Sequence, residues 1–326
     1  MKLSLSTNWC NRRLADGEAI AEKALALGFD ELELGFRTTL EQVSGFRRAL
    51  KRIPVGSIHA FCPVPISAPH GYPELYQLAS FSSDERRLAL VHVTKNIAFA
   101  ADIGADTVVL HAGRVPFSTF FRQMDSPWLR ETLYANGSDP EAPAYRERLE
   151  KALAVRVRKG KQMLGRSGGF LATLDGLVAS LERHGVTLAL ENLPYLEGFP
   201  NELEMTEILR RFRGAPIRAW FDTGHHRVRK SFGWVANGHA LDDAAFAAEV
   251  FGGVYAGMHL NDVEAFEDDH LPPGEGKVDF AALRPMAERV RHVVFEPHAG
   301  VGEEALAKGL AHIRALWSGV DAPPTA

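Results

Sequence analysis

Residues 185–192 read GVTLALEN, residues 218–226 RAWFDTGHH, residues 257–262 GMHLND and residues 292–298 HVVFEPH. Each is a short apolar run that stops abruptly on a polar residue: Glu191, Asp222, His259 or Glu296. Runs of that length, rich in Val and Leu, suit strands buried on both faces of a parallel sheet. Working outward, the same kind of run recurs at Leu3–Ser6, Glu31–Gly35, Val55–Ala60 and Thr107–His111. Helical patterns lie between them, at 17–28, 38–52, 84–103, 144–184, 203–213, 241–250, 279–290 and 303–317. Gly28, Gly104 and Gly185 each stand where a helix should stop before the next strand. Eight strands alternating with eight helices predict an α/β fold, a single (β/α)8 TIM barrel over residues 1–318, rather than an open sheet.

One segment breaks the rhythm. Residues 114–184 are too long for one crossover, and 114–143 are rich in Pro, Ser, Asn and aromatics. They predict a long insertion after the fourth strand, a loop on the catalytic face. The basic stretch 146–166 that follows reads as a solvated helix face. Residues 319–326 read as a disordered tail.

Composition bounds the function. The 326 residues are 46% hydrophobic and 24% charged, which excludes disordered, collagen-like and coiled-coil chains. The net charge of −4 gives no global attraction to nucleic acid or to an anionic membrane. Two cysteines, Cys10 and Cys62, do not make a disulfide framework. No apolar run reaches about 20 residues, and polar residues interrupt the N-terminal segment, so a soluble cytoplasmic protein is expected.

The strand ends carry the chemistry. The third run ends on His59, the fourth on His111 and the fifth on Glu191. The sixth ends on Asp222 with His225 just beyond, the seventh on His259 and Asp262, and the eighth on Glu296. Asp268 and His270 follow in the seventh loop. In a barrel these ends converge on one mouth. A carboxylate there must be paired or bind a metal, and mixed imidazole and carboxylate donors suit Zn, Mn, Fe or Co. The expectation is one to three divalent ions per chain, Mn, Zn or Co. His70, His92, His184, His239, His292 and His312 are read as hydrogen-bonded structural residues. Glu33 and Asn8, at the ends of the second and first runs, are candidate substrate-hydroxyl contacts. The alternative for Glu33 is a helix-to-strand ion pair. Arg114, Arg227, Arg229 and Lys230 stand just past strand ends as candidate cations for a phosphate; the alternative is solvent exposure.

These motifs resemble the xylose isomerase-like barrels, the superfamily that joins sugar isomerases and epimerases to endonuclease IV (AP endonuclease family 2). The resemblance implies one ion held by Glu191, Asp222, His259 and Glu296. SIHA (His59), LHAG (His111), DTGH (His225) and DDHLPPGEG (Asp268, His270, Gly274, Gly276) resemble the further endonuclease IV ligand motifs. That implies a second ion at His59, His111 and Glu191 and a third at His225, Asp268 and His270. The chain departs from endonuclease IV in the short spacing between HLND and DDH, and no loop residues for wedging open a duplex are evident.

Two activities follow from the resemblance. A sugar or sugar-phosphate isomerase or epimerase would move a proton between Glu191 and Glu296, with His225 and aromatics of 114–143 closing over a small carbohydrate-like substrate. The alternative is a phosphoester hydrolase acting on a small nucleotide-like molecule or abasic DNA, with Glu191 bridging two ions. With one divalent ion, Glu191, Asp222 and Glu296 leave the centre one charge negative, which suits a neutral sugar. With three ions and Asp268 added it is two charges positive, which suits a phosphodiester. A non-catalytic sugar-binding barrel would not need the whole ligand set. A homo-oligomer is left open.

Overall fold

The computed structural model describes residues 1–117, 125–137, 139–165, 168–235 and 254–318. The expected helix at 241–250, His239 and the tail at 319–326 lie outside the described residues. Eight parallel strands close into a barrel. They are β1 (Ser4–Ser6), β2 (Glu31–Leu34), β3 (Val55–His59), β4 (Thr107–Leu110), β5 (Thr187–Glu191), β6 (Ile217–Asp222), β7 (Tyr255–Leu260) and β8 (His292–Phe295). Each pairs with its sequence neighbours, and β8 closes on β1 through Ser4 opposite Val294 and Leu5 opposite Phe295. All eight predicted runs are strands, within a residue or two at their ends.

The barrel is packed, not hollow. Val109, Ala189, Trp220, Ala256 and Val294 fill its interior. Gly257 leaves the room that the Trp220 ring occupies, since a Cβ there would collide with it. At the N-terminal end of the barrel, His292 bonds Asp106 at 2.8 Å, as expected of a structural histidine. The larger core lies between the strands and the surrounding helices.

Those helices are α1 (Gly17–Leu27), α2 (Leu40–Ala49), α3 (Ser83–Ile103), α4 (Ser126–Ala135), α5 (Pro143–Leu164), α6 (Phe170–His184), α7 (Glu202–Arg211), α8 (Thr223–Ser231), α9 (Phe280–Ala287) and α10 (Glu303–Ser318). Gly104 and Gly185 end α3 and α6 at φ 85° and 64°, a left-handed turn that a side chain disfavours. No helix among the described residues is long and apolar enough to cross a membrane.

Three expectations are corrected. The single helical stretch at 144–184 is two helices, α5 and α6: the first stops at Leu164 before Gly165, and the second starts at Phe170 after Gly169, which sits at φ 65°. The 114–143 segment is not simply a loop: it contains α4, capped by Asp125, whose side chain accepts from Trp128 N. Leu129 and Leu133 of α4 pack with Tyr145 and Ala152 of α5 onto Val228 of α8 and onto Phe232. The insertion thus braces α8. The basic stretch is not wholly solvated either. Arg156 is buried and forks onto Glu204 at 2.6 and 2.7 Å, while also donating to the Leu196 and Gly198 carbonyls.

Candidate metal centre

The strand ends deliver their side chains to one buried cluster at the C-terminal mouth. Glu191, Asp222 and His259 are fully buried, and Glu296 is nearly so. Asp222 stands opposite His259 in the β6–β7 register. Asp222 also caps α8, its Oδ1 accepting from His225 N at 2.7 Å, while Asn261 Nδ2 donates to its Oδ2 at 2.7 Å. Its backbone is clamped by the Asn192 side chain, which donates to Asp222 O and accepts from Asp222 N. A Cβ at Gly224 would strike Asn261 Oδ1, so the DTGH turn needs its glycine.

Donor atoms of three groups converge, each group's within 4.8 Å of one another. The groups are Glu191, Asp222, His259 and Glu296; His59, His111 and Glu191; and His225, Asp268 and His270. They match residue for residue the sets implied by the motifs. Glu191 stands between the first two groups. Its Oε1 lies 3.2 Å from His259 Nδ1, and its Oε2 lies 3.2 Å from both His59 Nε2 and His111 Nε2.

Four of the five donor histidines are oriented as ligands need to be; His111 Nδ1 has no hydrogen-bond partner. A carbonyl can only accept, so a ring nitrogen facing one must carry the proton. His59 Nδ1 donates to Ala60 O at 3.0 Å, His225 Nδ1 to Asn192 O at 2.8 Å and His270 Nδ1 to Glu296 O at 2.7 Å. Their Nε2 atoms then face Glu191 or Asp268. His259 is turned the other way. Its Nε2 meets the Glu33 carboxylate at 3.1 and 3.3 Å, and its Nδ1 faces Glu191, Asp222 and Glu296 at 3.2, 3.6 and 3.2 Å. Fixing one ring nitrogen so that the other points inward is how proteins orient metal-binding imidazoles. The buried and unpartnered Asp268 Oδ1 is a further free donor atom. The donor set therefore fits divalent metals. His270 sits at φ 46°, a backbone conformation unusual for a side chain and one that collects at functional sites.

Opposite charges offset the cost of burying the cluster. Burial alone would raise the Glu191 carboxyl, but the charges of His259 and His111 hold it well below the usual range. Burial likewise opposes charge on His111, yet Glu191 and Glu74 hold it up at about 9. Asp268 holds His270 up at about 10 against the same penalty. A metal ligand must be unprotonated, so loading the quartet releases the proton that Glu296, Glu33 and Glu191 hold on His259 against its burial, and loading the other two groups would release those of His111 and His270. Between pH 6 and 9, metal affinity should rise with pH, about tenfold per unit for each proton displaced. Titration in buffers of different ionisation enthalpy checks the count, and affinity independent of pH would contradict the assignment. The metal-free protein behaves oppositely. Histidines raised on folding stabilise it below their unfolded value near 6.5, and that stabilisation is lost as pH climbs through about 9–10.

A cavity of about 430 Å³ opens over the cluster. Asn8, His59, His111, His225, Asp268, His270 and Glu296 line it, together with Phe36, Tyr72 and Tyr195. Asn8 Nδ2 donates to Glu296 Oε1 at 3.2 Å.

The expected substrate contacts need correction. Glu33 is fully buried beneath His259 and bonded to Ser57, out of reach of a substrate, and its partner is that strand-end imidazole rather than a helix cation. Arg114 is committed to Glu74 at 2.6 and 3.2 Å and lies over the Tyr195 ring. Glu74 Oε1 in turn lies 3.7 Å from His111. Arg227 sits on α8 and does not line this cavity. Arg229 is buried and forks onto Glu202. No described residue of the 114–143 segment lines the cavity, while Phe120 and Phe121 of that segment lie outside the described residues; among the described residues its aromatic lining is Phe36, Tyr72 and Tyr195. Asp262, read as part of the seventh strand end, accepts from the amides of Val263, Gly274, Gly276 and Val278. It shapes the loop that carries Asp268 and His270, and a Cβ at Gly276 would come within 2.5 Å of it.

Sequence reasoning passed over Arg12, Arg37, Glu74 and Tyr195. Arg12 and Arg37 lie in the loops after β1 and β2, in the stretches NRR and GFR, six and three residues past the strand ends. That position was the available signal for them. Nothing local marks Glu74.

A family model described as "Xylose isomerase-like TIM barrel" matches residues 167–316. No curated protein sequence matches the chain. Among solved structures, a D-tagatose 3-epimerase-like protein aligns with TM-score 0.65 and 18% identity over 98% of this chain and 97% of its own. The 3-keto-D-glucoside 4-epimerase of E. coli aligns with TM-score 0.65 and 16% identity over 97% and 99%. A protein of Thermus thermophilus, soaked with ZnCl2, aligns with TM-score 0.58 and 22% identity over 99% and 100%.

Proposed function

The chain has the xylose isomerase-like TIM-barrel fold, and from that premise we propose that it is a divalent-metal-dependent isomerase or epimerase of a sugar or sugar phosphate. The observation that carries this reading is the buried quartet Glu191, Asp222, His259 and Glu296, which opens through Glu296 onto a cavity of about 430 Å³. The like fold of the D-tagatose 3-epimerase-like protein and of the 3-keto-D-glucoside 4-epimerase supports it.

Glu191, Asp222, His259 and Glu296 would hold the ion, Mn, Zn or Co. When bound, such an ion supplies positive charge beside two substrate oxygens, which eases removal of the proton from the carbon that carries one of them. Glu296 borders the cavity and takes that proton. Asn8 holds its Oε1, which fixes the carboxylate plane. Glu191, deeper in the cluster, serves the opposite face and returns a proton. Glu33 keeps His259 in one orientation. Phe36 and Tyr195 exclude water from the reacting carbon.

A second reading is favoured by the division of the Glu191 carboxylate between two donor groups. A bridging carboxylate suits a multinuclear centre and cleavage of a phosphoester, in a small nucleotide-like molecule or in abasic DNA. The two readings part on one experiment. The protein as purified, without added metal, is analysed for metal and incubated with ketoses and ketose phosphates in heavy water. Deuterium entering a carbon position with one ion per chain is the expected result. Two or three ions per chain, slow cleavage of a generic phosphodiester and no deuterium uptake would replace it with the second reading.

A further inference from the structure

Arginines around this barrel mouth are mostly committed. Arg114 is paired with Glu74, Arg156 with Glu204 and Arg229 with Glu202. Two that line the cavity are not. Among the described residues no carboxylate forms an ion pair with Arg12 or Arg37. Arg37 Nε is buried without a hydrogen-bond partner, as are Arg130 Nε and Arg227 Nε, but of the three only Arg37 lines the cavity. Leaving a charged donor unsatisfied is unfavourable, and such a group in a folded protein calls for a reason. The two guanidinium groups are also near enough that Arg12 disfavours the charge on Arg37, adding to the effect of its burial.

The surroundings hold Arg37 in place. Its backbone N donates to Asn8 Oδ1 at 3.2 Å, and the same Asn8 side chain donates to Glu296. Its guanidinium lies 5.1 Å over the Phe36 ring, and Phe36 packs edge-on against His59 at 5.2 Å. The cationic rim is thus tied by one asparagine and one phenylalanine to the groups at the cavity floor.

We infer that Arg12 and Arg37 form an oxyanion-binding subsite at the cavity mouth, so that the substrate is a sugar bearing a terminal charged group, phosphate above all, rather than a neutral sugar. Two guanidinium forks match the tetrahedral face of a phosphate. The sugar part of this statement rests on the isomerase reading; the anion part does not.

Calorimetric titration of the protein as purified tests it, with D-fructose, D-fructose 6-phosphate and D-galacturonate as probes. The phosphorylated sugar should bind at least about tenfold more tightly than fructose, the effect of charge-assisted hydrogen bonds. Arg12→Ala and Arg37→Ala should each remove most of that advantage and change fructose binding less than about twofold, while Arg37→Lys restores part of it. Arg12 is exposed, so its variant tests the subsite even if Arg37→Ala folds poorly. A matching gain for galacturonate would support an oxyanion site that also takes carboxylates. Inorganic phosphate should still bind after chelation of metal, and should fail to bind Arg37→Ala. Equal affinity for fructose and its phosphate, an advantage that survives both substitutions, or phosphate binding only when metal is present would overturn the inference. If the affinity ratio holds while no probe exchanges a carbon-bound proton, the anion subsite stands and the isomerase reading fails.

Discussion

Glu191→Ala should leave the purified chain with almost none of its metal. Glu191 belongs to two of the three donor groups, and each of its oxygens faces a different one. Its removal takes a charged donor from both at once. It also leaves His59, His111 and His259 facing a gap instead of a carboxylate. The loss of affinity should exceed the roughly 10–100-fold typical of an outer partner. Asp222→Ala should have a similar effect on the quartet alone, since Asp222 has no place in the other groups. It should also lower stability, because Asp222 caps α8. His92→Ala is the control: His92 lies on α3, stacks on Tyr76 and belongs to none of the donor groups. Metal analysis of the three variants, purified in parallel, reads the result. Full metal content in both ligand variants would contradict the assignment.

That such a centre could be read from the chain follows from where polar residues fall. An apolar strand ending on His or Glu is an anomaly in hydropathy, and a closed parallel barrel brings all its strand ends to one rim. The quartet, His59, His111 and His225 were legible for that reason. What was not legible depends on partners distant in sequence. Glu33 also ends a strand, but whether it meets a substrate or a histidine depends on how deep it lies in the barrel, where it reaches His259 of β7 across the interior. Arg114 follows a strand end as Arg37 does, yet Glu74, forty residues upstream, neutralises one and not the other. Helix α8 begins directly on the last strand residue, so its periodicity is short and its start is hidden by Asp222, which serves as both cap and candidate ligand. Helix α4 has a cap and a proline at its start, but its apolar face is explained only by α5 and α8, against which it packs.

Glu296→Gln should separate holding a metal from moving a proton. The substitution keeps an oxygen donor, the shape of the side chain and a hydrogen-bonding group opposite Asn8. It removes the ability to accept a proton from carbon. Of the two glutamates in the quartet, Glu296 is the one that borders the cavity. In an isomerase or epimerase, therefore, deuterium exchange at the substrate carbon should fall by about 10²–10⁴-fold, the usual contribution of a positioned acid or base. Substrate affinity should change far less, since Arg12, Arg37 and the cavity walls are untouched. A phosphoester hydrolase would behave differently. There Glu296 would act only as a ligand, and an amide oxygen in its place would lower metal content and activity together. The ratio of activity to bound metal is therefore the quantity to measure. A ratio that collapses assigns proton transfer to Glu296. A ratio that stays constant while both fall makes Glu296 a ligand only, and the division of Glu191 between two donor groups would then mark the chain as a multinuclear hydrolase.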